Sequence, residues 1–361
     1  MMDDKEAVSP IISMILLITI VLVVTAAILS WATPILQRSQ SEANYGSALG
    51  YFNALDSAFE DVVNMGEGAS RSVDVSVGAG NIYISESMNE TWVVSYGLDD
   101  SVRIRFSDLG DSDYQKFKIN STKTVTVNIT IYWPEGDDLG EPYYPYGPAG
   151  VSIGPASTVT VYANDPLTGT VYIRVNTTGA SQETLAESWL FDITPISYEL
   201  PSAFGTYYIK EVNGGIITQA TGEKYVTNEP LFKEGENSIL LYMIQTKAVN
   251  LRGGGSGSYS FTLNVKNMNI RNNMTMDIYN LTLQIYDKSG DGWDEAWYSH
   301  FITGWKNAEI NNNKYNYTGF VDDGNSLLYK TKKTDESSEY GAEPITLKLM
   351  SCNIDVNMKS M

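Results

Sequence analysis

Beginning at Val8-Ser9-Pro10-Ile11-Ile12-Ser13-Met14-Ile15-Leu16-Leu17, the chain carries no charged residue until Arg38. A helix needs about 20 apolar residues to cross a hydrocarbon core, and Ile11 to Trp31 meets that length. Ser13, Thr19, Thr25 and Ser30 fit such a helix because each hydroxyl can bond back to the preceding turn. Pro10 stands where a helix begins without needing its N–H. The chain beyond this run is polar, acidic and rich in strand-forming residues. That order predicts a chain held at a membrane by one end, with its bulk in water.

Three readings compete for the apolar run: a secretory signal, a plain single-pass anchor, and a helix that assembles with its own kind. A secretory signal has a basic leader and an apolar stretch of about 7–15 residues. Here the leader, Met1-Met2-Asp3-Asp4-Lys5-Glu6-Ala7, is not net basic, and the apolar stretch is too long. The helical pattern also continues past the membrane. Pro34 has no N–H for Ser30 and is expected to interrupt and bend the rod. Beyond Arg38, Leu49, Phe52, Leu55, Phe59 and Val62 recur at helical spacing, with Ala48, Ala58 and Val63 alongside and Asp56, Glu60 and Asp61 on the wet side. Gly46 and Gly50 weaken this stretch without forbidding it. Gly66-Glu67-Gly68 ends the helix near Met65. At about 1.5 Å per residue, Val8 to Met65 makes a rod of about 85 Å, so its second half stands outside the bilayer and must pack on something.

Ala7-Val8-Ser9-Pro10-Ile11-Ile12 and the β-branched run behind it resemble the N-terminal segment of archaeal type IV pilin-like proteins. The resemblance covers about the first 35 residues and extends more loosely to Met65. Segments of the remainder, such as Ser70-Arg71-Ser72-Val73-Asp74-Val75-Ser76-Val77 and Asn213-Gly214-Gly215-Ile216-Ile217, are similar in style to large archaeal pilin-like surface proteins. The resemblance implies removal of residues 1–7 by a class III signal peptidase, cutting between Ala7 and Val8. Glu6 stands where the family usually has Lys or Arg. It also implies a helix over residues 8–65 that enters a filament core through Pro10, Ile11, Ile12, Met14, Ile15, Leu16, Ile18 and Leu22. The implied partners are copies of the chain or other pilin-like subunits, the membrane during biogenesis, an assembly ATPase and a platform protein.

From Arg71 the hydrophobic period changes to two. Ser72–Val77, Ile82–Ile84, Trp92–Tyr96, Val102–Phe106 and Val125–Tyr132 read as strands, with Gly78-Ala79-Gly80-Asn81 and Gly97-Leu98-Asp99-Asp100 as turns. Further strands read at Thr158–Ala163, Thr170–Val175, Tyr207–Glu211, Ser238–Gln245, Ser258–Val265, Met276–Tyr286 and Ile345–Leu349. The expected class is α+β: a long N-terminal apolar helix followed by a large β-sandwich-like head over residues 66–361. The acidic, Tyr/Pro-rich stretch Glu135–Pro148 is either a split between two subdomains or a long surface insertion. Gly253-Gly254-Gly255-Ser256-Gly257-Ser258 reads as a flexible hairpin tip, and Lys330-Thr331-Lys332-Lys333 as a solvated basic loop.

The formal net charge of −19 repels phosphates and excludes nucleic acid as a partner. One cysteine, Cys352, excludes an intrachain disulfide and reads as a buried thiol. One histidine, His300, excludes His-based triads and multi-His metal sites, and no enzymatic motif stands out. The one pattern with metal chemistry is Asp287-Lys288-Ser289-Gly290-Asp291-Gly292-Trp293-Asp294-Glu295. Asp287, Ser289 and Asp291 occupy alternate positions, as hard oxygen ligands of Ca²⁺ do, with Asp294 or Glu295 as a further carboxylate. Tyr298 stands at the twelfth position, so this is no EF-hand. The alternatives are a strand-loop calcium site and an acidic turn capped by a buried Trp. Sequons for N-glycosylation occur at Asn89, Asn120, Asn128, Asn176, Asn273, Asn280 and Asn316.

The expectation is therefore a non-enzymatic subunit of a surface filament, in the cell envelope until assembly, displaying its head for adhesion or surface contact. The alternative is a single-pass anchored surface or ligand-binding protein that does not polymerise.

Overall fold

The computed structural model describes residues 5–108, 115–135, 138–146, 150–155, 157–163, 169–220, 222–235, 238–251, 256–272, 277–306, 319–322, 326–330 and 345–361. Helix α1 runs from Lys5 to Met65. Its last turn closes on Gly66, whose N–H reaches the Val62 carbonyl at 3.0 Å and whose φ of 91° is the left-handed conformation that ends helices. Pro34 does not interrupt α1. A proline removes one ladder bond, to Ser30, and the Thr33 hydroxyl bonds back to the Leu29 carbonyl at 2.7 Å beside it.

Two runs of strands come after the helix. The first comprises β1 (Ser70–Val77), β2 (Asn81–Ile84), β3 (Glu90–Gly97), β4 (Val102–Asp108), β5 (Gln115–Ser121), β6 (Val125–Tyr132), β7 (Val151–Ile153), β8 (Ser157–Ala163), β9 (Thr170–Thr177) and β10 (Thr184–Ile193). The second comprises β11 (Ile196–Ser202), β12 (Gly205–Val212), β13 (Gly215–Ala220), β14 (Glu223–Asn228), β15 (Phe232–Gly235), β16 (Ser238–Leu251), β17 (Gly257–Ile270) and β18 (Asp277–Asp287). Helix α2 (Trp293–Lys306), β19 (Gly319–Asp322), β20 (Leu327–Lys330) and β21 (Ile345–Ser360) complete the described chain. The class is α+β, as the sequence predicts.

One large sheet runs β1-β17-β21-β18-β3-β10-β9-β6-β7, with β15, β16, β19 and β20 attached beside this path. A five-stranded sheet, β14-β13-β12-β11-β2, and a three-stranded sheet, β4-β5-β8, cover its faces. Strand β21 lies between β16, in parallel, and β17, antiparallel. The glycine-rich connector therefore joins two strands that flank a third, and is not a hairpin tip; its residues 252–255 lie outside the described residues. Strand β6 pairs with both β7 and β9, so the stretch around 135–150 is an insertion between strands of one sheet.

These layers enclose three cores. Leu190, Val93, Ile173 and Ile129 of the large sheet pack on Phe106, Phe117 and Val161 of the three-stranded sheet. On the opposite face, Trp92, Trp189 and Phe191 meet Leu241, Met243, Trp297 and Phe301. The outer half of α1 buries Ala48, Phe52, Leu55, Ala58, Phe59, Val62 and Val63 between the β1-β17-β21 region and the five-stranded sheet. Phe52 and Tyr198 have ring centroids 6.4 Å apart, Tyr45 and Tyr207 5.1 Å. The helix stripe read in the sequence is thus the face that seats α1 in the head; Leu49 alone of that set is only half-buried.

Candidate functional site

Among the described residues, the inner half of α1 has no partner in the head. Ile12, Met14, Ile15, Leu16, Ile18 and Leu22 are 47–66 % exposed, and Trp31 is 74 % exposed. Thr19 donates its hydroxyl to the Ile15 carbonyl at 2.8 Å, so its polar group is satisfied within the helix. At about 1.5 Å per residue, Ile12 to Leu36 spans about 37 Å, against about 30 Å for a hydrocarbon core. This half is long and apolar enough to cross a membrane. Ala7, Val8, Pro10 and Ile11 lie on the helical backbone, with side chains outside the described residues. The boundary between the two halves is marked by the ion pair of Arg38 Nε with Glu42 Oε1 at 2.8 Å. At the far end, Arg71 of β1 pairs with Asp61, pinning α1 to the sheet beside it.

The acidic loop after β18 closes on itself. Asp287 is 2 % exposed. Its Oδ1 accepts the Ser289 N–H at 3.0 Å and the Ser289 hydroxyl at 2.7 Å, while Oδ2 accepts the N–H groups of Asp291 at 3.1 Å and Trp293 at 3.2 Å. Trp293 opens α2, so the carboxylate serves the helix entry as an anion should. Asp294 and Glu295 sit in the first turn of α2. Burial, and then the charge of Asp287, push the Asp294 carboxyl above its usual range. Among the described residues, no three His, Cys, Asp or Glu side chains converge as metal ligands. The hydrogen bonding is that of an acidic turn with a buried Trp behind it: Trp293 is 2 % exposed, beneath Lys224 at 5.0 Å from its ring centroid.

The sequons scatter over the head. Asn120 is exposed on β5 and accepts the Thr158 hydroxyl at 3.0 Å. Asn128 and Asn176 face each other across β6 and β9, partly buried. Asn89 precedes β3, and Asn280 adopts a φ of 52° at an irregularity of β18. Asn273 and Asn316 lie outside the described residues, as does the basic cluster after Lys330. His300 projects from α2 with Nε2 3.5 Å from Glu229 Oε1, and Cys352 is fully buried on β21.

A feature the sequence does not advertise is a cleft of about 580 Å³ lined by Tyr96, Tyr172, Arg174, Glu187, Trp189 and Arg271, among others. Strand register builds it: Glu187 of β10 lies opposite Arg174 of β9 and Tyr96 of β3, and Trp189 opposite Tyr172. Tyr172 and Trp189 stack at 4.1 Å, and the Arg271 guanidinium lies 5.3 Å over the Trp189 ring. Glu187 accepts hydroxyl hydrogens from Tyr96, at 2.6 Å, and from Tyr172, while Arg174 Nε donates to the Tyr172 oxygen at 2.7 Å. Burial and the Glu187 charge hold both phenols well above their ordinary range. Two guanidinium groups against one carboxylate leave this cleft net positive in a chain of charge −19. Such a wall favours a small anionic ligand with an apolar body. Comparison with protein-family models, curated proteins and solved structures found no match.

Proposed function

We propose that this chain is a structural subunit of a surface filament of the archaeal type IV pilus-like kind, polymerising through the inner half of α1 and displaying the β-rich head outside. The observation that carries this reading is one uninterrupted helix with two fates: Phe52, Phe59 and Val62 are locked into the head, while Ile12 to Leu36 is apolar and unpartnered. A bilayer and a bundle of sister helices are both apolar surroundings. Moving from one to the other is therefore driven by close packing and small-residue contacts rather than by bulk hydrophobicity. Cleavage between Ala7 and Val8 removes the charged leader and frees the helix to enter the bundle. N-terminal sequencing of the mature protein, with electron microscopy of cell-surface material, tests this. Val8 at the terminus and filaments containing this chain support it; a mature chain that keeps Met1–Ala7 and stays monomeric overturns it.

The second reading is a single-pass anchored surface protein that binds a ligand without polymerising. The observation favouring it is the positively charged cleft around Arg174 and Arg271.

A further inference from the structure

Three buried side chains from two sheets converge inside the head. The β18–β3 register sets Asp287 opposite Glu90, and β12 of the five-stranded sheet brings Lys210 between them. Glu90, Lys210 and Asp287 are 0, 1 and 2 % exposed. Lys210 Nζ lies 2.8 Å from Glu90 Oε1 and 3.8 Å from Asp287 Oδ1. Indoles wall the site: Trp92 and Trp297 both donate Nε1–H to Glu90 Oε2, at 3.0 and 2.9 Å, and the Trp293 ring centroid lies 5.4 Å from Nζ.

Two carboxylates face one ammonium, and although the turn donors on Asp287 and the indoles on Glu90 offset part of the cost, burying three charges is expensive. Condensing the ammonium with one carboxylate removes two of the three buried charges. An amine held against a carboxylic acid, in fixed geometry and without competing water, is set for condensation.

We propose that Lys210 and Asp287 join in an intramolecular amide, with Glu90 as the proton carrier. Glu90 relays one ammonium proton to Asp287, leaving a free amine and a carboxylic acid. The Nζ lone pair attacks Cγ of Asp287, and the charge developing on Oδ2 meets the N–H groups of Asp291 and Trp293 that already bond it. Glu90 then carries a second Nζ proton to Oδ1, which leaves as water. The Nζ–Cγ bond forms and the Cγ–Oδ1 bond breaks; no oxidant or energy carrier enters. Asp287 is the acceptor because its turn supplies backbone donors to the intermediate, whereas Glu90, clamped by two indoles against Nζ, is placed to move protons. The product ties β12, in the sheet that seats α1, covalently to β18 of the large sheet, along the line that load on the rod would take.

Mass spectrometry of the purified full chain tests this. The expected result is a mass lower by one water than the processed sequence, and a digest containing one branched peptide pair joined through Lys210 and Asp287. E90Q and K210R are expected to show the full mass while circular dichroism reports the same strand content. D287N is expected to link with loss of ammonia instead of water, which keeps the test open if K210R does not fold. Folded wild-type protein with separate Lys210 and Asp287 peptides overturns the proposal, as does a link from Lys210 to Glu90 or a full linked yield in E90Q.

Discussion

Asn228 Nδ2 donates a hydrogen bond to Asp56 Oδ2 at 2.7 Å, fastening the end of β14 to the outer half of α1. The same amide reaches Asn53 Oδ1 at 3.2 Å. Asp56 is half-buried at this joint, near Glu60 on its own helix and Glu211 on β12. Burial, reinforced by Glu60, pushes the Asp56 carboxyl up to about 6 from 3.8. Burial, reinforced by Asp56, holds Glu211 well above its ordinary range. The rod is thus seated on two acids whose burial makes ionisation costly.

The sign of the consequence is fixed by linkage. An acid whose pKa is raised on folding binds its proton more tightly in the folded state, so stability falls as pH rises from about 4 to about 6. Glu211 extends the fall above that window. Asp56→Asn removes the first part of it, and at neutral pH is expected to stabilise the protein by about 1–2 kcal/mol. Denaturant titrations of both proteins at a series of pH values check this; a wild-type midpoint that rises between pH 4 and 6 contradicts it.

The two halves of α1 predict opposite responses to truncation. Phe59 is fully buried in the head, and Phe59→Ala is expected to cost about 3–5 kcal/mol through lost transfer energy and a cavity. Leu22 is 64 % exposed, and Leu22→Ala should leave the unfolding midpoint of the detergent-solubilised protein unchanged. If assembly uses the inner half, Leu22→Ala instead lowers filament yield on cells, and normal filaments from that variant would remove Leu22 from the packing face.

How much of the molecule is legible in its sequence depends on which faces of each element are covered. Strand β6 reads over its true span, Val125–Tyr132, because polar and apolar residues alternate there. Strand β10 escapes such a reading: Leu185, Ala186, Trp189, Leu190 and Phe191 are buried on both faces, which erases the period of two. The strand at Ile345 reads only to Leu349 yet continues to Ser360, paired along both edges. Helix α2 hides behind its Asp- and Gly-rich entry, although Trp293, Trp297 and Phe301 fall at helical spacing. The apolar half of α1 is plain from composition. The cleft and the Lys210 site are not, since their members are far apart in the chain and only strand register unites them.

Calcium provides a sharp check on the loop after β18. The oxygens of Asp287 already accept N–H and hydroxyl hydrogens, and a cation would have to displace those donors. Chelator or added Ca²⁺ is therefore expected to leave both the melting temperature and the tryptophan emission of the head unchanged. A melting temperature that falls with chelator and recovers with Ca²⁺ would make the loop a cation site.

In the cleft, Glu187 is the acceptor shared by Tyr96 and Tyr172, and its Oε1 lies 3.5 Å from Arg174 Nε. Glu187→Ala strands two buried hydroxyls and leaves the guanidinium without its carboxylate, a loss of about 2–4 kcal/mol. Glu187→Gln keeps an acceptor oxygen for one phenol and is expected to lose roughly half as much. Removing this carboxylate also makes the cleft more positive, so a small anion that binds there should bind the Glu187→Gln protein more tightly. Calorimetric titration of both proteins with aromatic and sugar carboxylates reads this directly. Equal or weaker binding in the variant would mean that the anion is not held by Arg174 and Arg271.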